Sequence, residues 1–250
     1  MNVLPAYAAY AAGLSIALWR NGVRTSAGQP SAPGPPPARV LIIGATGGTG
    51  RELVAQALDR GYLVTALARQ PSAIQAIYVN HQRLRVVTGD VLDYPSLESA
   101  VKGHDAVLCA LGHKRYFRPT RILSEGTRNL LRAMSTHGVH RLVCETSLGI
   151  GGSAGRMGLY YTFFVLPIIL PFYFWDKTRQ ERLIAASPVD WVVVRPGALT
   201  NGPRRGRYRH GANIGSFLAT VRISRADVAD FMLNQVTDNT YLKSAPGVCW

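Results

Sequence analysis

The sequence predicts an α/β protein with a parallel, doubly wound sheet, and three observations carry that expectation. Val40-Leu41-Ile42-Ile43, four branched apolar residues, run into Gly44-Ala45-Thr46-Gly47-Gly48-Thr49-Gly50 and then into an amphipathic stretch, Arg51 to Leu58. Short apolar runs then alternate with helical patterns along most of the chain, the rhythm of βαβ units. With 47% hydrophobic residues, the 250-residue chain can bury a sizeable core, so it reads as one domain plus an appendage.

Composition narrows the partners. The 28 Lys and Arg against 14 Asp and Glu give a net charge of +14, which suits phosphate cofactors, anionic lipid heads or nucleic acid. No nucleic-acid-binding motif accompanies the charge, so nucleic acid is not an expected partner. Cys109, Cys144 and Cys249 have no paired spacing, and the first two lie in apolar strand patterns; they read as small core residues of a reducing compartment. The six His show no ligand spacing, and no metal is expected.

Residues 1–24 form the appendage. Val3 to Trp19 is 17 residues without a charge, a helix of roughly 25 Å, at the short limit for a membrane span. Arg20, Arg24 and Arg39 follow it and no Lys or Arg precedes it. Read as an anchor, residues 3–19 put the main domain on the cytoplasmic side, or its matrix or stromal equivalent. A cleaved leader ending near Thr25-Ser26-Ala27 and a plain packing helix are the alternatives. A Pro/Gly-rich linker, 25–37, leads to a domain at 38–250.

The glycine turn between a strand and a helix is what a nucleotide-phosphate cradle requires. The glycines let backbone approach a pyrophosphate, and the helix N-terminus offers free N–H groups and partial positive charge. Gly44, Thr46, Gly47, Gly48, Thr49 and Gly50 are therefore candidate cofactor contacts. Leu63 to Ala68 is the second strand, ended by Arg69. An acid there would bond the ribose 2′-hydroxyl of NAD; an Arg suits the 2′-phosphate of NADP, so NADP(H) is expected over NAD(H), with a solvated strand-end Arg as the alternative. Leu84 to Thr88 is the third strand, followed by Asp90 and Val91. Asp90 could bond the adenine amine or cap the next turn. Ser96 to Lys102 is a short helix. Asp105 to Ala110 is the fourth strand, and Ala110, Leu111 and Gly112 are where backbone could pass close to a cofactor. Thr120 to Thr136 reads as a long amphipathic helix.

At this point the chain resembles the atypical short-chain dehydrogenases/reductases, in the NAD(P)H-binding group that includes biliverdin-IXβ/flavin reductase and NmrA-like proteins. The residues carrying the resemblance are 44–50, Arg69, Gly89-Asp90-Val91-Leu92 and Asp105-Ala106-Val107. Ser124-Glu125-Gly126-Thr127-Arg128-Asn129, His137-Gly138-Val139, Thr146-Ser147, Arg195-Pro196 and Ile223-Ser224-Arg225-Ala226-Asp227-Val228-Ala229 complete the set. The match covers about 38–245. It implies a Rossmann-type fold and a dinucleotide cofactor, and leaves the substrate open because this group hosts unrelated roles.

The fifth strand, Arg141 to Ser147, leaves Ser147 at the carboxyl edge, where ligands sit in open α/β sheets. Tyr173 and Lys177 stand at i and i+4, one face of a helix. A phenol near an ammonium is expected to have a lowered pKa and to exchange a proton with substrate. Ser147, Tyr173 and Lys177 resemble the catalytic set of active short-chain dehydrogenases. Alternatively, Asp176 caps a helix from Thr178 to Ala186 and leaves Tyr173 outside it. The biliverdin/flavin reductase branch transfers hydride without that pair, using a serine that matches Ser147 and a histidine whose position here is Ala198.

Leu159 to Trp175 has no charge but two prolines, and three readings stand: a buried or substrate-covering segment, a membrane-dipping surface, or a second span. Trp191 to Pro196 is the sixth strand. Arg204, Arg205, Arg207 and Arg209 are a solvated loop or a contact for anionic lipid or acidic substrate. Ile223 through Val236 is a final helix opened by Ser224. Together these readings describe a membrane-tethered NADP(H)-dependent oxidoreductase acting on a flat or apolar small molecule: a flavin, quinone, tetrapyrrole or lipid-like carbonyl. The alternative is a non-catalytic NADP(H) sensor or a structural subunit of a membrane complex.

Overall fold

A computed structural model describes residues 39–78, 81–113 and 115–250. The anchor expected at 3–19 and the linker at 25–37 lie outside the described residues. Among the described residues ten strands form: β1 (Arg39–Ile43), β2 (Leu63–Ala68), β3 (Leu84–Thr88), β4 (Ala106–Cys109), β5 (Arg141–Glu145), β6 (Asp190–Pro196), β7 (Ala198–Thr200), β8 (Arg209–Gly211), β9 (Arg222–Ser224) and β10 (Gly247–Cys249). The helices are α1 (Gly48–Asp59), the single turn α2 (Ser72–Gln75), α3 (Tyr94–Val101), α4 (Ile122–His137), α5 (Pro171–Ala185) and α6 (Arg225–Asn234).

Eight strands make one sheet in the order β3-β2-β1-β4-β5-β6-β10-β8, parallel except for the antiparallel edge strand β8. The chain leaves β1 toward β2 and β3, then returns to β4 on the other side. That reversal is the topological switch point, where the carboxyl ends of the strands open a crevice. Side chains alternate across the sheet with period two. Val40 and Ile42 pack with Leu53, Val54, Phe231 and Met232 of α1 and α6, whereas Leu41 and Ile43 pack with Leu97, Leu130, Met134 and Ile184 of α3, α4 and α5. Both faces are covered, which is why the central strands read as continuous apolar runs. β7 and β9 form a separate parallel pair beyond the sheet.

The expected elements are present with small boundary shifts, except around α5. Pro171 starts this helix at a position where its missing N–H costs nothing. Tyr173 therefore lies inside α5, and Asp176 is not its cap. Asp176 is fully buried in the middle of α5 and caps α4 instead: Oδ2 accepts from the Leu123 amide at 2.9 Å, and Oδ1 from the Ser124 amide at 3.1 Å and its hydroxyl at 2.5 Å. The final helix starts at Arg225, with the Ser224 hydroxyl accepting from the Asp227 amide as expected.

The uncharged segment before α5 is a π-helical stretch, Tyr161–Ile169, containing Pro167 and ending at Leu170. Proline supplies no amide, and the wider turn absorbs the loss; Leu170 donates to the Val165 carbonyl at 3.0 Å. Val165, Leu166 and Pro167 are buried, while Tyr160, Phe163 and Phe164 are exposed. Among the described residues no helix is long and apolar enough to cross a membrane, so the second-span reading of this segment is withdrawn.

A buried ion pair ties α5 to the sheet. Arg195 of β6 donates from Nε to Glu181 Oε1 at 3.0 Å and from Nη2 to Oε2 at 2.6 Å, both side chains being 0% exposed. Thr146 adds a 2.7 Å bond to the same carboxylate. Removing one partner of such a pair strands a charge in low dielectric. Glu181→Ala is expected to lower unfolding free energy by about 3–5 kcal/mol, measured by urea denaturation followed by circular dichroism.

Candidate functional site

The turn after β1 is held by backbone geometry. Gly44 has φ +79°, a region that side chains disfavour, and a Cβ there would overlap the Ala110 carbonyl at the end of β4. A Cβ on Gly50 would overlap the Gly44 carbonyl. These two glycines let α1 start directly against the strand ends. No side chain caps α1 and no acid occupies its first turn, so its leading N–H groups remain for an anion. Thr49 is buried and donates to Glu145 Oε1 at 3.1 Å, joining the turn to β5.

Arg225, the first residue of α6, reaches across this turn. Its side chain occupies the space into which a Cβ on Gly48 would point, and its Nη1 bonds Asn201 Oδ1 at 2.5 Å. A cation at a helix N-terminus is unfavourable by itself. The Glu145 carboxylate offsets it, since Arg225 is among the charges that stabilise the ionised form of that acid. Burial still dominates and pushes the Glu145 carboxyl above its usual range, against Lys177, Thr49 and Arg225.

Lys177 lies beneath the same edge, 2% exposed, donating to the Glu145 carbonyl at 2.8 Å and the Leu111 carbonyl at 3.3 Å. Burial works against its charge, but Tyr173, Cys144 and Glu145 outweigh it and hold the ammonium above its usual pKa. Tyr173 is one helical turn away, with the Lys177 nitrogen 5.6 Å from its ring centre. Its hydroxyl lies 3.5 Å from where a Cβ on Gly112 would sit. His113 and Tyr116 meet the Tyr173 ring edge-on at 4.9 and 5.9 Å. The expected lowering of the Tyr173 pKa is corrected: desolvation exceeds the pull of Lys177, so the phenol titrates above its usual value and stays protonated at neutral pH.

The structure thus brings Tyr173 and Lys177 together with Ala110, Leu111 and Gly112. Ser147 stands at the end of β5 but donates to the Leu148 carbonyl at 2.9 Å; among the described residues no hydrogen bond links it to Tyr173 or Lys177. Arg69 is exposed just past β2. Asp90 accepts the Leu92 amide at 3.0 Å through Oδ1, the turn-capping half of its two readings. Val91 is buried against Gly126, and Asn129 of α4 donates to its carbonyl at 2.9 Å. Thr46 is exposed and accepts from Arg51 through its carbonyl at 3.1 Å. Cys109 and Cys144 are free and buried, opposite each other in register on β4 and β5. Among the described residues no cluster of His, Cys, Asp or Glu could hold a metal.

Sequence reasoning missed Glu145, Arg225, Asn201 and His113 as parts of this edge. Arg225 had a signal, because it sits in the Ile223–Ala229 run that carried the family resemblance. Glu145 directly precedes Thr146-Ser147, at the carboxyl end of a predicted strand.

A doubly wound sheet, a glycine turn at its switch point and an uncapped helix define a dinucleotide-binding protein. The chain belongs to the NAD(P)H-binding family, whose model matches residues 44–239. An uncharacterized chloroplastic protein of Arabidopsis thaliana is 32% identical over 180 residues, covering 67% of this chain and 61% of that protein. The 3-diazoavenalumate denitrifying reductase of a Streptomyces species is 32% identical over 203 residues, 72% of this chain and 62% of that enzyme. The chain thus spans about three fifths of the length of these two relatives. A wide-type short-chain dehydrogenase/reductase of Veillonella parvula, solved with NADP, superposes with a TM-score of 0.72 at 19% identity, over 86% of this chain and 95% of that one.

The turn geometry separates two glycines by their neighbours. A Cβ on Gly47 would sit 3.2 Å from the Gly44 carbonyl oxygen, whereas one on Gly50 would overlap it. Gly50→Ala is expected to weaken NADPH binding at least about tenfold, a loss of about 1.4 kcal/mol, in a nicotinamide-fluorescence titration. Gly47→Ala is expected to weaken it less.

Proposed function

We propose that this chain is an NADP(H)-dependent oxidoreductase that reduces a flat or apolar small molecule. The observation that carries the reading is the Tyr173–Lys177 pair: one turn of one helix, aimed at the carboxyl edge of the sheet beside Gly112, with the phenol kept protonated. The bound nicotinamide would supply the hydride. The turn at 44–50 and the first turn of α1 would hold its phosphates, Arg225 lies where it can add a guanidinium, and Arg69 would read the 2′-phosphate.

The chain's own groups handle the proton. The protonated phenol enters the reductive direction with a proton to give, and because burial makes it a weaker acid, the transfer depends on Lys177. The Lys177 ammonium, fixed by two backbone carbonyls, stabilises the phenolate left behind. The Tyr173 ring is flanked by His113, Tyr116 and Phe174. The half-buried rings of His113, Tyr116 and Tyr173 favour a planar or apolar acceptor over a small charged one.

NADPH oxidation with a panel of flavins, quinones and tetrapyrroles tests this. With the best acceptor, Tyr173→Phe is expected to lower kcat about 10²- to 10⁴-fold while NADPH affinity is retained. Undiminished turnover would instead mean direct hydride transfer without the pair. Tight NADPH binding without turnover of any acceptor would favour the sensor or structural-subunit reading. Arg69→Ser is expected to weaken NADPH binding about tenfold, or 1.4 kcal/mol, and to leave NADH binding unchanged in the same titration.

A further inference from the structure

The fold leaves one aromatic face uncovered. Leu159 and Tyr160, just before the π-helical stretch, and Phe163 and Phe164 within it are 48%, 61%, 64% and 57% exposed. Phe217 and Leu218, at 63% and 78%, come from a loop some fifty residues later in the chain. That loop is fastened beside the first set: Ser216 donates its amide to the Arg156 carbonyl at 2.9 Å, and Met157 bridges Ser216. Gly158 lies against the Ala219 backbone and Gly155 against the Phe217 ring. Two distant segments thus bring exposed apolar side chains side by side, the kind of surface that marks an interaction site.

The charge around it selects the occupant. From 146 to 175 the sequence contains no acid, and its one charge is Arg156. From 191 to 226 it again contains no acid, and besides the buried Arg195 and the turn-bound Arg225 it carries Arg204, Arg205, Arg207, Arg209 and Arg222; Asp230 pairs with Arg204 and Asp227 accepts the Arg205 and Gly206 amides, while Arg156 bonds Asn213 of the loop that bears Phe217. A second copy of a chain with net charge +14 would bring arginine toward arginine. An anionic lipid surface complements both the apolar tip and the basic segments, since aromatic side chains settle at the headgroup level and Arg is attracted to anionic heads.

We propose that this face docks onto an anionic lipid bilayer, with Phe163, Phe164, Phe217 and Leu218 entering the headgroup region. The inference concerns a surface and does not depend on the reduction chemistry. It also differs from anchoring by residues 3–19, because it makes the folded domain itself a membrane contact.

The test uses the full chain with a single environment-sensitive fluorophore. Cys109, Cys144 and Cys249 are buried, so labelling falls on a cysteine placed at Phe163→Cys, at Phe217→Cys, or at the control Lys102→Cys. Vesicles of phosphatidylcholine with phosphatidylglycerol are expected to shift emission to the blue at 163 and 217, reversibly with added salt, and not at 102. Water-like emission at 163 and 217 while the protein sediments with vesicles would overturn the proposal in favour of anchoring elsewhere. An equal response to pure phosphatidylcholine would overturn the anionic assignment. A shift that needs no vesicles and grows with protein concentration would assign the face to a second copy.

Discussion

The polar underside of α5 is the constraint on which the rest of the structure depends. Asp176, Lys177, Thr178, Gln180 and Glu181 are all buried, on a helix packed between α4 and the sheet. Each has a named destination: Asp176 at the start of α4, Lys177 on the Glu145 and Leu111 carbonyls, Thr178 on the Phe174 carbonyl one turn back, Gln180 on Thr127, Glu181 on Arg195 and Thr146. An apolar helix face can slide or rotate by a fraction of a turn and lose little. Charges buried in low dielectric cannot, because a displaced partner leaves the other charge uncompensated. The desolvation penalty of these groups is offset only in one register, and that register places Tyr173 and Lys177 at the switch point.

The same logic explains the charges at the carboxyl edge. Arg225, Glu145 and Lys177 converge on a turn that also offers helix N–H groups. Glu145 tempers the two cations, and its own carboxyl is pushed up by burial, so the edge as a whole favours a negatively charged ligand. Asp227 does comparable work nearby. It accepts the amides of Arg205 and Gly206 at 2.8 and 2.9 Å and the Trp250 indole at 2.8 Å, which fastens the arginine-rich loop to α6. Although burial opposes it, these bonds hold the Asp227 carboxyl below its usual range. The basic loop is thus a pinned structure at its Arg205–Gly206 corner, although its side chains read in the sequence as a solvated run.

What was legible in the sequence is what local chemistry determines. The β1–glycine–α1 unit depends on neighbours within about twenty residues, and so does the Tyr173–Lys177 spacing. Both could be read. The role of Asp176 could not, because its partners lie 52 and 53 residues earlier and an aspartate before a helical run looks like a cap for that run. The direction of the Tyr173 shift was misjudged for a related reason: the spacing shows the lysine but not the burial, and burial is the larger effect. Ser147 occupies the expected place in the chain, yet its hydroxyl donates to the carbonyl of the next residue, Leu148. Adjacency at the sheet edge therefore does not by itself assemble a catalytic set.

Only Leu170 separates the π-helical stretch from α5, so the apolar face and the candidate site share one piece of backbone. The two ends of that piece are restrained very differently. Toward its C-terminal end, α5 is fixed by the Glu181–Arg195 pair and by Lys177. Toward its beginning, Leu166, Ile150 and Phe174 make a small apolar cluster, with Tyr161, Leu170, Tyr173 and Trp175 packed against it. Apolar contacts of this kind are non-directional and can rearrange at little cost, whereas the buried ion pair cannot. Tyr173 stands between the two regimes, one turn from the fixed lysine and beside the adjustable cluster. Under the proposed reduction, the division lets the apolar side of Tyr173 adjust while Lys177 keeps its place on the Glu145 and Leu111 carbonyls.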